Sequence, residues 1–306
     1  MISYYFKHSK DSEFAYIDAP VHGCWINVED AISYDLQKVC EITGLEFNSI
    51  QDALDRYEIP RIEKNNGHIL LFLRHPIEVE SGLYTMSLTI IITPHYFITI
   101  GPSNSSFIKN FLTKKGKTPD SHSLKVLIQL LLRITQEFTL QIRRVRHNVL
   151  TQQKEMIHVG SDDISDLTRH EEILNQYHSS LVPLRNVLES LLTGKVIALH
   201  EKDQEHIDDV LNAIRQSEDL CSIVNKTIRS LRDSYQIIFT NNLNKTIKLL
   251  TALTIIFSIP TMIASLYGMN VALPWSDFRH MFGLLVTLIV TSSIICFYLF
   301  RKKGWL

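Results

Sequence analysis

The spacing of apolar residues changes twice along the chain. Over residues 1–120 they come in short runs rich in Ile, Val, Phe and Tyr, at 2–6, 14–17, 24–28, 69–73, 83–92 and 96–100, separated by Pro, Gly, Asn and Ser. Runs of this length and composition, with turn formers between them, predict β-strands. Between the third and fourth runs, Ile32, Leu36, Val39 and Ile42 recur at helical spacing, with Asp30 placed to cap the start and Gly44 to close the end. Residues 1–120 are therefore expected to form an α/β domain.

From Ser121 the period becomes helical. Leu124, Leu127, Ile128, Leu131 and Leu132 share one face, and a charged stretch follows at 141–146. A second helix is predicted over 167–193, stopping at Gly194 and bent at its internal Pro183. These two make residues 121–202 a helical hairpin region. Between Asp203 and Tyr267 the only helix breaker is Pro260, which predicts one stalk helix over 203–267. Such a helix is roughly 95 Å long, whereas the hydrocarbon core of a bilayer is about 30 Å thick. Its first two thirds are polar and its end is apolar, so it is expected to run from water into a membrane.

Segments 249–267 and 281–300 contain 19 and 20 residues without a formal charge. Both lengths fit a membrane-spanning helix, and the short connector 268–280 makes them an antiparallel pair. Lys245 and Lys248 precede the first span, and Arg301, Lys302 and Lys303 form a basic tail over 301–306 after the second, while the connector offers only Arg279 against Asp277. This bias places both termini in the cytoplasm and the connector outside. Trp275 and Trp305 fall at opposite interfaces.

Two helices cannot enclose a water-filled path, so conduction would require a symmetric ring of subunits. Alternating steps of three and four along the stalk helix pick out Asp233, Ile237, Thr240, Asn244, Ile247, Thr251, Thr254, Ser258, Thr261 and Ser265. Taken singly, each Ser or Thr in a membrane helix is better read as bonding back to a preceding carbonyl or tying helices together. Their alignment favours a wet axis, because lipid offers a hydroxyl column no partners. The hydroxyls of the second span, Thr287, Thr291, Ser292 and Ser293, form no comparable stripe, and that span is expected to face lipid.

Composition narrows the function mainly by exclusion. The net charge of −1, with 45% apolar and 21% charged residues, does not fit a nucleic-acid binder. Cys24, Cys40, Cys221 and Cys296 are isolated thiols with no CxxC pair, so neither a zinc site nor a disulfide framework is indicated. The first thirty residues show no secretory signal pattern. His200 and His206 flank Glu201, Asp203 and Glu205 without metal-ligand spacing and read as a solvated face. There is no nucleophile constellation and no GxxxxGK[ST] loop, so neither an enzyme, an organic cofactor nor ATP coupling is expected.

With the two spans placed, the run Tyr267-Gly268-Met269-Asn270 after the first of them resembles the signature of the CorA family of divalent-cation channels. The basic ending, and the segment 44–74 with Gln51-Asp52-Ala53-Leu54, Pro60-Arg61-Ile62-Glu63 and an apolar strand, extend the resemblance over nearly the whole chain. It implies a funnel-shaped homopentamer in the plasma (inner) membrane, with a cytoplasmic regulatory α/β domain, a stalk and a short membrane bundle, handling Mg2+ as cargo. Asn270 would form a selective amide ring at the outer mouth. Its oxygen suits the waters of a hydrated Mg2+, an ion that dehydrates reluctantly. Gly268 would permit the turn that aims Asn270, and Met269 would pack. Asn244 would form an inner polar ring, with Ile247 and Leu250 or Thr251 as a hydrophobic constriction, and Thr254, Ser258, Thr261 and Ser265 would continue the lining.

The same resemblance implies intracellular Mg2+ bound between subunits at Asp52 and Asp209, holding the pore closed. Asp208, Glu218 and Asp219 add charge nearby, and Gln51 stands where relatives carry an acid, which implies a weaker site. Inward movement of a divalent ion gains about 4.6 kcal/mol per 100 mV, so membrane potential suffices as the driving force. A zinc or cobalt/nickel transporter of the same architecture is the near alternative, the intact Met269 favouring magnesium. A membrane-anchored oligomeric sensor or scaffold is the alternative from another class.

Overall fold

A computed structural model of the chain describes residues 1–7, 14–79, 82–103, 108, 111, 123–155, 160–271 and 279–305. It divides into two compact units, one of residues 1–157 and 165–231 and one of residues 158–164 and 232–306.

The first unit is built on a seven-stranded mixed sheet. Its strands are β1 (Ile2–Phe6), β2 (Ala15–Ile17), β3 (Trp25–Glu29), β4 (Arg61–Asn65), β5 (His68–Val79), β6 (Gly82–Ile92) and β7 (Phe97–Gly101), in the order β2-β1-β3-β7-β6-β5-β4. Neighbours are antiparallel except β3 and β7, which run parallel with Trp25 opposite Phe97. The expected strands are present, with ends shifted by a residue or so and β5 running six residues beyond the predicted 73. β4 is additional to them. Ile62 is its only aliphatic residue, so it lacks the apolar alternation that marks a strand. Asn66 and Gly67, at φ 48° and 80°, form the mirror-image turn that matches the twist of a β4–β5 hairpin. β4 begins at Arg61 opposite Phe72 and pairs no farther along β5, so Pro76 in β5 lies where the strand has become an edge and proline is tolerated.

One face of the sheet is covered by α1 (Ser33–Thr43), the short α2 (Phe47–Ile50) and a 3-10 turn at Gln51–Leu54. Leu36, Val39, Leu45, Ile50 and Ala53 pack there on Ile26, Val28, Leu70, Phe72, Ile91 and Ile98. Asp30 does not cap α1. The helix starts after Ile32, whose N–H donates to the Asp35 carboxylate at 3.3 Å. The Asp30 carboxylate instead accepts from the Ser103 N–H at 3.0 Å; the Ser103 side-chain hydroxyl first, and this backbone bond second, hold its pKa below the usual carboxylate range. It thus ties the exit of β3 to that of β7. Within the sheet, Trp25 donates its Nε1–H to Thr99, whose hydroxyl donates to Asn27, so these buried polar groups satisfy one another.

α3 (Ser123–Glu155) lies against β5. With α4 (Ser161–Leu192) and the first part of α5 (Glu201–Tyr267) it buries positions three and four apart: Leu127, Leu131, Ile134, Phe138, Ile142 and Val145 on α3, Leu174, Tyr177, Leu181, Leu184, Leu188 and Leu191 on α4, and Ile207, Leu211, Ile214, Ser217, Cys221, Val224 and Ile228 on α5. That spacing is the seam of knobs-into-holes packing. Cross-links fix its register: Phe138 meets Tyr177 edge to face at 5.5 Å, Thr139 and Ser217 share a 2.6 Å hydroxyl bond, and Arg185 and Arg229 pair with Glu218 and Glu171. Pro183 does not terminate α4, which continues through it to Leu192.

In the second unit α5 continues from Arg232 to Tyr267 and is followed by α6 (Met281–Lys302). After Tyr235 the next fifteen residues and more are exposed within the single chain. Among the described residues two helices, the end of α5 and α6, are long and apolar enough to cross a membrane. Trp305 stacks on Phe300 with ring centroids 5.4 Å apart just beyond α6. Trp275, expected at the opposite interface, lies outside the described residues.

Candidate functional site

The apolar end of α5 presents distinct faces. Ala252 is buried, and Ile256, Ile259, Ile263 and Tyr267 are part-buried; they lie one above another on one side of the helix. On α6, Met281, Leu285, Ile289, Ser292, Cys296 and Phe300 form the matching less exposed line. Thr251, Thr254, Ser258, Thr261 and Ser265 are all exposed in the single chain. At about 100° per residue this hydroxyl column lies about 160° around α5 from the part-buried line. Asn244 and Ile247 continue the column toward the N-terminal end, and Leu250 sits on its flank, all three exposed.

The hydroxyls have an unexpected polarity. Thr254 donates to the Leu250 carbonyl at 2.8 Å, Ser258 to that of Thr254 at 2.7 Å and Thr261 to that of Phe257 at 2.8 Å. Each proton is thus used within the helix, as the competing reading of a membrane Ser or Thr holds, and each oxygen keeps its lone pairs for the open side. The two readings therefore coexist: back-bonding makes the column a line of acceptors. Thr287 and Thr291 on α6 back-bond in the same way.

At its C-terminal end α5 tightens. Gly268 N–H donates to Ala264 O at 2.9 Å and Ser265 O at 3.3 Å, and Met269 N–H reaches Leu266 O at 3.5 Å. Gly268 is not among the glycines with positive φ, so its role is spatial: a Cβ there would sit 3.2 Å from the Ala264 carbonyl oxygen. The turn presents Met269 and Asn270, both exposed. Met269, expected to pack, is 52% exposed within one chain.

Asp52 and Asp209 belong to the first unit and are not brought together in one chain. Asp52 sits in the 3-10 turn, where its Oδ2 accepts from Arg61 Nη2 at 2.8 Å. Asp209 lines a cleft of about 480 Å³ between α3 and α5, beside Lys125, Lys202, Asp203 and His206. Among the described residues no three His, Cys, Asp or Glu side chains are grouped closely enough to hold a metal ion. Each aspartate nevertheless offers hard oxygen donors, Asp209 exposed and Asp52 part-buried, and Mg2+, which retains several waters, takes one or two carboxylates. Within the Pro60-Arg61-Ile62-Glu63 segment, Arg61 gathers Glu58 and Glu63 together with Asp52, a grouping that the family resemblance does not imply. The alternation of charges at 58, 61 and 63 was the available signal.

A sheet-based domain, a long helix that runs through both units, and two apolar helices long enough to cross a membrane, the first bearing an acceptor column, define a two-span membrane protein of the transporter and channel class. Residues 22–302 match the family described as CorA-like Mg2+ transporter protein, and the chain belongs to that family. It is 28% identical over 293 residues to the cobalt/magnesium transport protein CorA of Methanocaldococcus jannaschii, covering 92% of this chain and 91% of the relative. To the protein of the same description from Thermotoga maritima it is 22% identical over 292 residues, covering 92% and 83%. The complete structure of the M. jannaschii CorA magnesium transporter superposes with a TM-score of 0.79 over 100% of this chain and 99% of that one, at 23% identity, and so shares its fold.

Proposed function

We propose that copies of this chain assemble, as a pentamer, around an axis lined by Asn244, Ile247, Leu250, Thr251, Thr254, Ser258, Thr261 and Ser265, and conduct Mg2+ inward across the plasma (inner) membrane with both termini in the cytoplasm. The observation that carries this reading is the placement of the acceptor column on the side of α5 away from its part-buried line, ending on Gly268, Met269 and Asn270. Acceptors suit the water hydrogens of a hydrated cation, and a ring of Asn270 amide oxygens at the mouth can hold the hydrated ion without stripping it. Ile247 and Leu250, apolar and exposed, are suited to a constriction that closes by dewetting. A divalent ion gains about 4.6 kcal/mol per 100 mV of inward potential, which drives uptake without ATP.

Regulation is assigned to Asp52 and Asp209. Carboxylates contributed by two neighbouring subunits would hold intracellular Mg2+, lowering the repulsion between soluble domains and favouring the closed ring; loss of that cation would release it. Co2+ is the second cargo this reading allows, because relatives are named for cobalt as well as magnesium.

Flux into proteoliposomes, measured separately for Mg2+, Co2+, Ni2+ and Zn2+, tests the proposal. Mg2+ and Co2+ flux are expected, rising with an inside-negative potential, and Asn270→Ala should reduce Mg2+ flux by about tenfold or more, as loss of a selectivity ring would. A membrane-anchored sensor or scaffold would conduct nothing, a zinc transporter would favour Zn2+, and wild-type Mg2+ flux in Asn270→Ala would remove Asn270 from the selective mouth.

A further inference from the structure

Arg61, the first residue of β4, stands among three carboxylates. Its Nη2 bonds Asp52 at 2.8 Å, its Nε bonds Glu63 at 2.7 Å, and its Nη1 pairs with Glu58. The guanidinium also lies over the Phe72 ring, 4.0 Å from the centroid, and Phe72 is buried in the sheet core. Three negative charges thus share a single positive one, and the positive one is the best anchored of the four. Stacking on a buried ring and two further ion pairs hold it whether or not Asp52 stays with it. The Asp52 side chain has Arg61 as its one ion-pair partner among the described residues and is 47% exposed, so a cation in solution can reach it.

We propose that Arg61 is a built-in competitor for the cation at Asp52, setting the cytoplasmic concentration at which the regulatory site fills. This rests on the reading of Asp52 as a regulatory ligand and adds what tunes it. The guanidinium occupies Asp52 Oδ2 and lowers the negative potential at the carboxylate. A divalent cation approaching Asp52 must share or displace that bond, and Arg61, kept by Glu58, Glu63 and Phe72, remains close enough to repel it. Cation affinity is thereby held down at a site that a bare carboxylate would fill at lower concentration. The same arrangement makes release fast in principle, since Asp52 returns to a partner that has not moved.

The test uses the purified full-length protein and reads the Mg2+ concentration that gives half-maximal protection against chymotrypsin, together with the rise in melting temperature on adding Mg2+. Arg61→Met keeps the apolar stem over Phe72 and removes the charge. It should lower the half-protection concentration about three- to tenfold, the scale expected for removing one part-exposed charge beside a divalent ion. Arg61→Lys keeps the charge and should stay within about twofold of wild type, with only the fork geometry lost. On an Asp52→Ala background Arg61→Met should produce no further shift. A purely structural Arg61 would instead leave the half-protection concentration of Arg61→Met unchanged or raise it; that result, with Asp52→Ala still shifting the wild-type value, overturns the inference alone. If Asp52→Ala leaves the wild-type value where it was, Asp52 is not a ligand, and the regulatory reading and this inference fall together. Should Arg61→Met not fold, Glu63→Gln leaves Arg61 more fully to Asp52 and should raise the half-protection concentration; an unchanged value overturns the inference.

Discussion

The Ser258 hydroxyl donates to the carbonyl oxygen of Thr254, 2.7 Å away and one turn earlier, and Thr254 does the same to Leu250 at 2.8 Å. With Thr261, which donates to Phe257, these residues use their hydroxyl protons inside the helix and leave their oxygens as acceptors on the open side. Replacing Thr254 with Val preserves shape and removes the hydroxyl, both its outward acceptor and its bond to the Leu250 carbonyl. If the column lines an axis as proposed, Mg2+ flux into proteoliposomes should fall about three- to tenfold, since one polar group per subunit is lost from it, while helicity by circular dichroism stays unchanged. Thr287→Val, which removes an equivalent back-bonded hydroxyl from α6, should leave flux near wild type. Equal losses in the two variants would show that the column has no special place.

Gly268 is required by space rather than by φ. A methyl group there meets the Ala264 carbonyl oxygen at 3.2 Å, so Gly268→Ala must open the last turn of α5 or push Met269 and Asn270 outward. The strain is about 1 kcal/mol, in the lower range for overpacking. Flux should drop with little change in thermal stability, because the displaced residues are at an exposed helix end. Flux at the wild-type level would mean that Asn270 is aimed by contacts other than this turn.

His75 is buried in the first unit, and burial, aided by the nearby Arg74 charge, lowers its pKa from 6.5 to about 4. The unfolded chain therefore binds a proton that the folded domain refuses between about pH 6.5 and 4. Because the folded pKa is the lower one, the associated stability is present above pH 6.5 and is lost as pH falls through that window, amounting to about 3 kcal/mol. Thermal melting of the full-length protein from pH 7.5 to 4.5 should show this acid loss, and His75→Gln should flatten the part it contributes. An unchanged slope in His75→Gln would place the acid sensitivity elsewhere.

Cys221 lies in the seam between α4 and α5, where its thiol donates to the Leu174 carbonyl at 3.3 Å and burial pushes its pKa up to about 12. The thiolate is the reacting species, so native protein at pH 8 should leave Cys221 unlabelled by maleimide. Part-exposed Cys40 should be labelled first. Labelling of Cys221 should appear only with denaturant or with variants that open the helical seam, such as Phe138→Ala, which removes the edge-to-face contact with Tyr177. Rapid native labelling would show that the α4–α5 seam opens locally.

Much of this architecture was legible because helix and membrane signals are local. The hydroxyl column and the apolar seams of α3, α4 and α5 depend on residues three and four apart, and the two spans on uninterrupted apolar length, so both can be read along the chain. β4 could not be found that way: with Ile62 as its one aliphatic residue, its pairing to β5 is decided by the partner strand and the Asn66-Gly67 turn. The role of Asp30 was misread for a related reason. A cap signal is local, but the Ser103 N–H that takes its carboxylate is 73 residues away.

The sequence by itself determined that this is a two-span membrane protein with an α/β domain, and where its column and its Gly268-Met269-Asn270 turn lie, because periodicity and hydrophobic length act over a few residues. Only the tertiary structure decided which way each group faces. It set the column on the side of α5 away from the part-buried line, buried His75, and gathered Asp52, Glu58 and Glu63 around an Arg61 stacked on Phe72. Those outcomes depend on which distant segments meet, and the charge environment of a carboxylate is a property of that meeting rather than of its neighbours along the chain.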